Sequence, residues 1–342
     1  MESVGPVSQP GAAWGASNVL VTGAGGFVGA WLVRALADRR ATMVALLHDR
    51  HPVSSLDVLD CERRAVVAYG SVTDAALVGR LLNRYEIDTV FHLAAQPIVG
   101  AANRSPVPTF EANIRGTWTV LEGCRRCPTI RRVVVASSDK AYGDHAQLPY
   151  TEDFPLLGLN PYDASKACAD ILARSYHKVF RLPAAVVRCA NIYGGGDLNF
   201  SRIVPGTIRS AVRGETPVVR SDGTPIREYL YIDDAIRAYL LVAERLEDPA
   251  IAGKAINFGT GRPVAVLDLV QTILGEVGRP DLKPRILSTG TMAGEIDRQC
   301  LSSRLAREAL GWSAEEPLES GLKKTVAWYA AYLAKGGDGG AR

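Results

Sequence analysis

Asn18-Val19-Leu20-Val21-Thr22-Gly23-Ala24-Gly25-Gly26-Phe27-Val28-Gly29 decides how the rest of the chain is read. Its apolar first half reads as a strand that runs directly into glycines. An amphipathic helix is expected over Trp31 to Arg39, then a second apolar run from Thr42 to Leu47. Strand, glycine turn, helix, strand is the context that a dinucleotide-binding turn needs. Gly23, Gly26 and Gly29, with Phe27 and Val28 between them, would let backbone N–H groups approach a pyrophosphate at the helix start. The spacing is GxxGxxG rather than GxGxxG, and an ordinary loop is the plain alternative; the flanking elements favour the cofactor.

Asp49 lies 20 residues after Gly29, where an acid would bond the adenosine ribose and favour NAD. Arg50 follows at once and suits a 2′-phosphate, so NADP stays open. The alternation continues with a strand at Ala65 to Ala68, a helix at Ala75 to Tyr85 and a strand at Thr89 to Ala95. A long helix is expected over Asn113 to Arg126, a strand over Val133 to Ala136, a helix over Tyr162 to Phe180 and a strand over Ala184 to Arg188. Repeated strand–helix units predict an α/β fold, a Rossmann-type doubly wound parallel sheet.

The regularity then breaks. Asn191 to Asp197 reads as a glycine-rich loop, Ser221 to Arg227 as a turn, and Tyr229 to Ile232 as a short strand with Asp233 or Asp234 capping the next helix. Helices are expected at Val266–Val277, Ser303–Leu310 and Leu318–Leu333. The expected domains are therefore 18–188 plus about 228–250 for the dinucleotide, and 189–227 plus about 251–334 as a smaller mixed α/β lobe over the strand ends. Residues 1–17 and 335–342 read as flexible tails.

The 342 residues carry 39 Lys and Arg against 36 Asp and Glu, a net charge of +3 with no basic run. That balance gives no reason to expect nucleic acid or a membrane as partner. No apolar stretch reaches the length of a membrane span, and the start lacks the basic flank and apolar core of a signal peptide. Cys124-Arg125-Arg126-Cys127 is a CxxC without a second pair or a nearby His, so free thiols and no metal are expected. The expected compartment is the cytoplasm.

Two sets of reactive side chains stand out. Ser137-Ser138-Asp139-Lys140 leaves the end of the Val133–Ala136 strand, and ligands in such sheets sit at the carboxyl ends of strands. Tyr162 and Lys166 lie at i and i+4 on one helix face. A surface pair is the plain reading of the second set. The chemical one is a phenol made basic by a nearby ammonium, which with a nicotinamide removes a proton and a hydride from an alcohol. His92, alone in an apolar strand, reads as a packed core residue.

The glycine turn, His92-Leu93-Ala94-Ala95 and Tyr162-x-x-x-Lys166 together resemble the extended short-chain dehydrogenase/reductase superfamily, over about residues 18–334. His92 to Pro97, Ser138-Asp139-Lys140, Asn160 to Lys166 and Asn191 to Asp197 resemble the NAD-dependent epimerases/dehydratases within it, most closely the CDP-glucose 4,6-dehydratases. Asp-Lys after a hydroxyl residue discriminates, because many other dehydratases have Asp-Glu there and epimerases usually lack the pair.

The resemblance implies NAD and a nucleotide-diphosphate sugar. It implies that Tyr162 takes the proton of the sugar 4-hydroxyl while NAD takes the C4 hydride, with Lys166 lowering the phenol pKa and binding the nicotinamide ribose. Ser138 would bond O4, Lys140 would remove the C5 proton, and Asp139 would protonate the departing 6-hydroxyl before the hydride returns to C6. Ser71, Val72, Leu93, Ala94, Ala95 and Asn113 would line the cofactor. Gln96, Asn191, Arg202, Ile203, Arg227 and Arg298 would contact the substrate, the arginines facing its phosphates. A base needs a neutral Lys140 and an acid needs a protonated Asp139, so a simple ion pair between them would shift both the wrong way. Ser71 departs from the acid that relatives usually carry beside adenine, Ser138 from the commoner Thr, and the glycine turn is nearer the epimerases. Competing expectations are an epimerase that eliminates no water, and a redox-inactive NAD(P) sensor on the same fold. A homodimer through helices 113–126 and 162–180 is also implied.

Overall fold

The computed structural model describes residues 14–50, 53–288 and 296–337. The strands are β1 (Asn18–Thr22), β2 (Thr42–Leu47), β3 (Val66–Tyr69), β4 (Thr89–His92), β5 (Arg132–Ala136), β6 (Ala184–Cys189), β7 (Asn191–Tyr193), β8 (Val218–Val219), β9 (Ile226–Arg227), β10 (Tyr229–Tyr231), β11 (Ala255–Phe258), β12 (Val264–Ala265) and β13 (Arg285–Ile286). Seven of them form one parallel sheet in the order β11-β6-β5-β4-β1-β2-β3. The order reverses between β1 and β4, where Thr22 pairs with His92, and that reversal opens a crevice at the strand ends.

Both faces of this sheet are covered, which is why its strands read as nearly continuous apolar runs. Val19 and Val21 pack to one side with Leu32, Leu36, Ile232 and Ile236. Leu20, between them, packs to the other side with Leu81, Leu82 and Val120. Among the described residues no helix is long and apolar enough to cross a membrane.

Several elements differ from the sequence reading. The first helix begins at Phe27, directly after the turn, not at Trp31. Gly29 and Ala30 are small enough to pack against the turn, and small residues hide the apolar stripe. The helix expected from Asn113 starts upstream: Pro106–Phe110 leads through a wider turn at Glu111–Arg115 into Gly116–Arg126. The expected strand Thr89–Ala95 stops at His92. Asn191–Tyr193 is a strand paired in parallel with β10 rather than part of a loop. Neither Asp233 nor Asp234 caps the helix Ile232–Glu244; both sit in its first turn, and Asp234 accepts from the backbone N–H groups of Glu315 and Glu316.

Two differences concern the domain boundaries. β11 is the edge strand of the central sheet, although residues from about 251 were expected in the second lobe. In the expected tail, Trp14 is fully buried against Phe91, and its indole N–H reaches Glu244 at 2.6 Å. Composition hid one large aromatic among Gly, Pro and Ala. Residues 1–13 and 338–342 lie outside the described residues; Lys335 to Gly337 close the last helix by backbone bonds to Tyr332 and Leu333.

The smaller lobe has its own core of Ala211, Val219, Val270 and Leu274. The stretch 296–302 returns from it and is laced to both parts. Gln299 N–H bonds the Ile226 carbonyl, Tyr150 N–H bonds the Cys300 carbonyl, and Leu301 N–H bonds the buried Glu228 carboxylate at 2.6 Å. This return carries side chains to the end of β5.

Candidate active site

The glycine turn meets the geometric demands of a dinucleotide. Gly23 has φ +68°, and a Cβ there would lie 2.7 Å from Ala94 N. A Cβ on Gly29 would lie 2.3 Å from the Gly23 carbonyl, closer than any side chain tolerates. Gly26 caps the helix Phe27–Asp38 with no side chain over its N–H groups, so those donors and the positive end of the dipole face the crevice. The residues present fit a pyrophosphate. Phe27 is buried and Val28 half-buried beneath the turn. Leu93, Ala94 and Ala95 run past it half-buried, and Ala94 N–H is held by Thr22 Oγ1 at 3.2 Å.

Asp49 and Arg50 are exposed just beyond β2, Asp49 within 3.5 Å of His48. Arg50 lines a cleft with Leu47, Ser54, Asp57 and Tyr69 at the ends of β2 and β3. Ser71 Oγ bonds Thr73, and Val72 is buried against the helix face at Gly116. Asn113 reaches three ways: its Oδ1 accepts from Gln96 N at 2.7 Å, while Nδ2 donates to the Gln96 carbonyl and to Ser165 Oγ. It ties the β4 exit to the start of the helix Pro161–Phe180, while the Gln96 side chain folds onto Ile98 N.

That helix presents Tyr162 and Lys166 one turn apart at the β5 exit. Lys166 is buried; its Nζ donates to the Ala136 carbonyl at 2.9 Å and stands 6.0 Å from the centre of the Tyr162 ring. Burial lowers the Lys166 ammonium to about 8. Burial also pushes the Tyr162 hydroxyl up to about 12, and the opposing charge that pulls it down most is Arg202 rather than Lys166. The resemblance gave that task to Lys166, whose Nζ is here drawn onto the β5 carbonyl. His92, bonded to Thr22 at 2.8 Å and Thr117 at 3.1 Å, falls to about 3 through burial, so it is the packed neutral residue expected.

Ser138, Asp139 and Lys140 form the start of a short helical turn, Asp139–Tyr142. Ser138 Oγ donates to Asp139 Oδ1 at 2.9 Å and accepts from Lys140 N at 3.2 Å, and it lies close enough to the Tyr162 hydroxyl to draw its pKa down. The two expected sets therefore lie side by side at the β5 exit. Burial raises the Asp139 carboxyl above its ordinary value, against the opposing pull of Lys140, Ser138 and Arg227. Lys140 does not ion-pair with it: Nζ donates to Gln299 Oε1 at 3.3 Å.

Sequence reasoning missed Gln299 and Asp163. Asp163 is buried beside Lys140, its carboxyl raised chiefly by burial, and its Oδ1 has no partner among the described residues. Its place between Tyr162 and Lys166 was a usable signal. Gln299 carried none, because only the return of 296–302 brings it here.

The expected phosphate arginines divide. Arg227 is buried and donates to the carbonyls of Ile226, Ile296 and Asp297, so it clamps the returning stretch beside Asp139. Arg202, just ahead of Ile203, bonds Asp197 at 2.8 Å and lies near Tyr162. Arg298 is exposed. Asn191 spends its Nδ2 on the Glu228 carbonyl. Arg227, Arg202 and Asn191 would each have to exchange a partner to meet a diphosphate. Cys124 and Cys127 are free and buried, and no metal-holding group of His, Cys, Asp or Glu occurs among the described residues.

The profile of the NAD dependent epimerase/dehydratase family matches residues 19–259, from β1 through the last sheet strand. The chain belongs to this family. It is 31% identical to dTDP-glucose 4,6-dehydratase 1 of Escherichia coli (strain K12), over 91% of this chain and 92% of that protein. Its fold is similar to that of DesIV, a dTDP-glucose 4,6-dehydratase from Streptomyces venezuelae solved with NAD and TYD, at a TM-score of 0.83 and 26% identity over 93% and 98% of the two chains. The UDP-glucose 4-epimerase of Thermotoga maritima, solved with UDP-glucose, is as similar: TM-score 0.84, 27% identity, 92% of this chain and 99% of that one. Dehydratase and epimerase members thus share this fold with the chain, and the side chains at the β5 exit must separate them.

Proposed function

We propose that the chain is an NAD-dependent nucleotide-sugar 4,6-dehydratase that turns an NDP-hexose into its 4-keto-6-deoxy derivative. The observation that carries this reading is the arrangement of Asp139 and Lys140: neighbours in sequence, yet each held on a neutral partner, close to Tyr162. An elimination needs an acid and a base that do not neutralise one another. An epimerase needs neither.

NAD, held along Gly23 to Gly29, supplies the hydride acceptor at C4 and the hydride that returns to C6. Tyr162 takes the proton of the 4-hydroxyl, and Ser138 Oγ bonds the oxygen that becomes the ketone. The ketone acidifies C5–H; Lys140 takes that proton, and as the ammonium it gives a proton back to C5 once the hydride has reached C6. Asp139, whose carboxyl burial raises toward the acid form, gives its proton to the departing 6-hydroxyl. CDP-glucose is the favoured substrate because Asp-Lys stands where many other dehydratases have Asp-Glu; dTDP- and UDP-glucose are the competitors, being the sugars named for the relatives. Incubation with each nucleotide sugar and mass spectrometry tests the reading. The expected product is lighter by one water; an isomer of unchanged mass from every substrate would make the chain an epimerase.

The proposed assembly is a homodimer through the helices Gly116–Arg126 and Pro161–Phe180. Trp118, Ile171, Val179 and Phe180 expose apolar surface on them. A monomer by sedimentation at micromolar concentration would exclude it.

A further inference from the structure

We infer that Gln299 is a positioning residue for Lys140, holding its amine through a neutral amide oxygen at the place from which the lysine acts as base. The contact spans 159 residues of chain. Gln299 is almost fully buried, and its backbone is fixed by the bond from Gln299 N–H to the Ile226 carbonyl. Lys140 Nζ is the donor in this contact, so Oε1 faces it and Nε2 points away.

That leaves Nε2 buried and without a partner among the described residues. An unpaired buried donor costs stability, and an aliphatic side chain of the same size would avoid that cost. Stability therefore does not account for an amide here. Its neutrality does. Lys140 is faced by the carboxyls of Asp139 on its own turn and Asp163 on the helix Pro161–Phe180, with the Arg227 guanidinium acting on both. No ion pair joins Lys140 to either acid among the described residues. A carboxylate at position 299 would hold the amine equally well, but in its charged, non-basic form. An amide oxygen fixes the direction without that penalty.

This inference rests on the dehydratase reading, so the wild type and Lys140→Met are measured first. Water loss by wild type that survives Lys140→Met overturns both the base role and the positioning role. Given a lysine-dependent wild type, Gln299→Met is expected to slow water loss and C5 hydrogen exchange in D2O at least tenfold, while reduced nicotinamide still forms at C4. Gln299→Glu is expected to keep the lysine in place but move the acid limb of the elimination profile to higher pH by about one unit or more. Equal rates and profiles in all three overturn the inference, as does a parallel loss of oxidation and elimination, which would mark a purely structural residue. If wild type removes water from no nucleotide sugar, the dehydratase reading fails and takes the base role of Lys140 with it, while the hold of Gln299 on the amine stands or falls separately. The hold on Lys140 is then read from the rate of Lys140 acylation by peptide mass spectrometry. Faster labelling in Gln299→Met supports it, and an unchanged rate overturns it.

Discussion

Two acid–cation pairs sit near the ends of β5 and β6, and they are treated in opposite ways. Asp170 and Arg188 are both buried and joined by two bonds, 2.8 and 3.0 Å, with Arg188 also donating to the Tyr142 hydroxyl. Tyr142 in turn donates to Asn257 on β11. Asp139 and Lys140 are adjacent in the chain, yet one is given to Ser138 and the other to Gln299. The first pair has its donors and acceptors matched and no reason to change charge. The second is kept apart, each member on a neutral partner, as the proposed acid and base roles require. Composition could not have distinguished the two arrangements.

The largest expected effect breaks the reactive pair. Lys140→Met should slow elimination by about 10³–10⁴-fold, the upper range for losing a general base, while C4 oxidation persists as reduced nicotinamide. Water loss at the wild-type rate would remove Lys140 from the mechanism.

Breaking the structural pair should act on stability instead. Arg188→Met leaves Asp170 with only the half-exposed Arg174 at 2.7 Å and should cost about 3–5 kcal/mol in urea denaturation. Replacing both partners, Asp170→Leu with Arg188→Met, should cost less than the single change. A double variant that is worse than the single would show that the pair is more than a matched buried contact.

Lys166 gives a third test, between the two types. Burial depresses it from 10.5 to about 8, so the folded state disfavours its charge. Its contribution to stability is present above the unfolded value and is lost as pH falls through about 8. Lys166→Met should therefore be more stable than wild type at neutral pH, by up to roughly 3 kcal/mol, and the gap should close as pH rises from about 8 to about 10.5. Denaturation curves at several pH values check it; a constant gap would mean that charge burial is not the cause. The smallest effect sharpens the role of the neutral partner: Ser138→Ala should slow elimination about tenfold, a loss of about 1.4 kcal/mol, without moving the denaturation midpoint by more than a hydrogen bond is worth.

Much of the fold was legible because its signals are local. β1, the glycine turn and the following helix sit within one short stretch, and Tyr162 and Lys166 share a helix face through the i, i+4 repeat. The burial of His92 followed from an apolar strand. Trp14 was illegible because a single indole in a small-residue segment leaves no period. β11 was too, because its four residues follow an irregular stretch and only the free edge of β6 selects them.

The sequence by itself determined the strand–turn–helix units, the dinucleotide turn and the residues able to move protons, since backbone sterics and side-chain chemistry act over a few residues. Tertiary structure alone decided who partners whom at the β5 exit: that Asp139 turns to Ser138, Lys140 to Gln299 and Arg227 to the carbonyls of Ile296 and Asp297. Whether an amine beside a carboxyl becomes a base or half of a salt bridge depends on the groups that burial brings within hydrogen-bonding distance. For Lys140 and Arg227 those groups come from far along the chain, where no local pattern announces them.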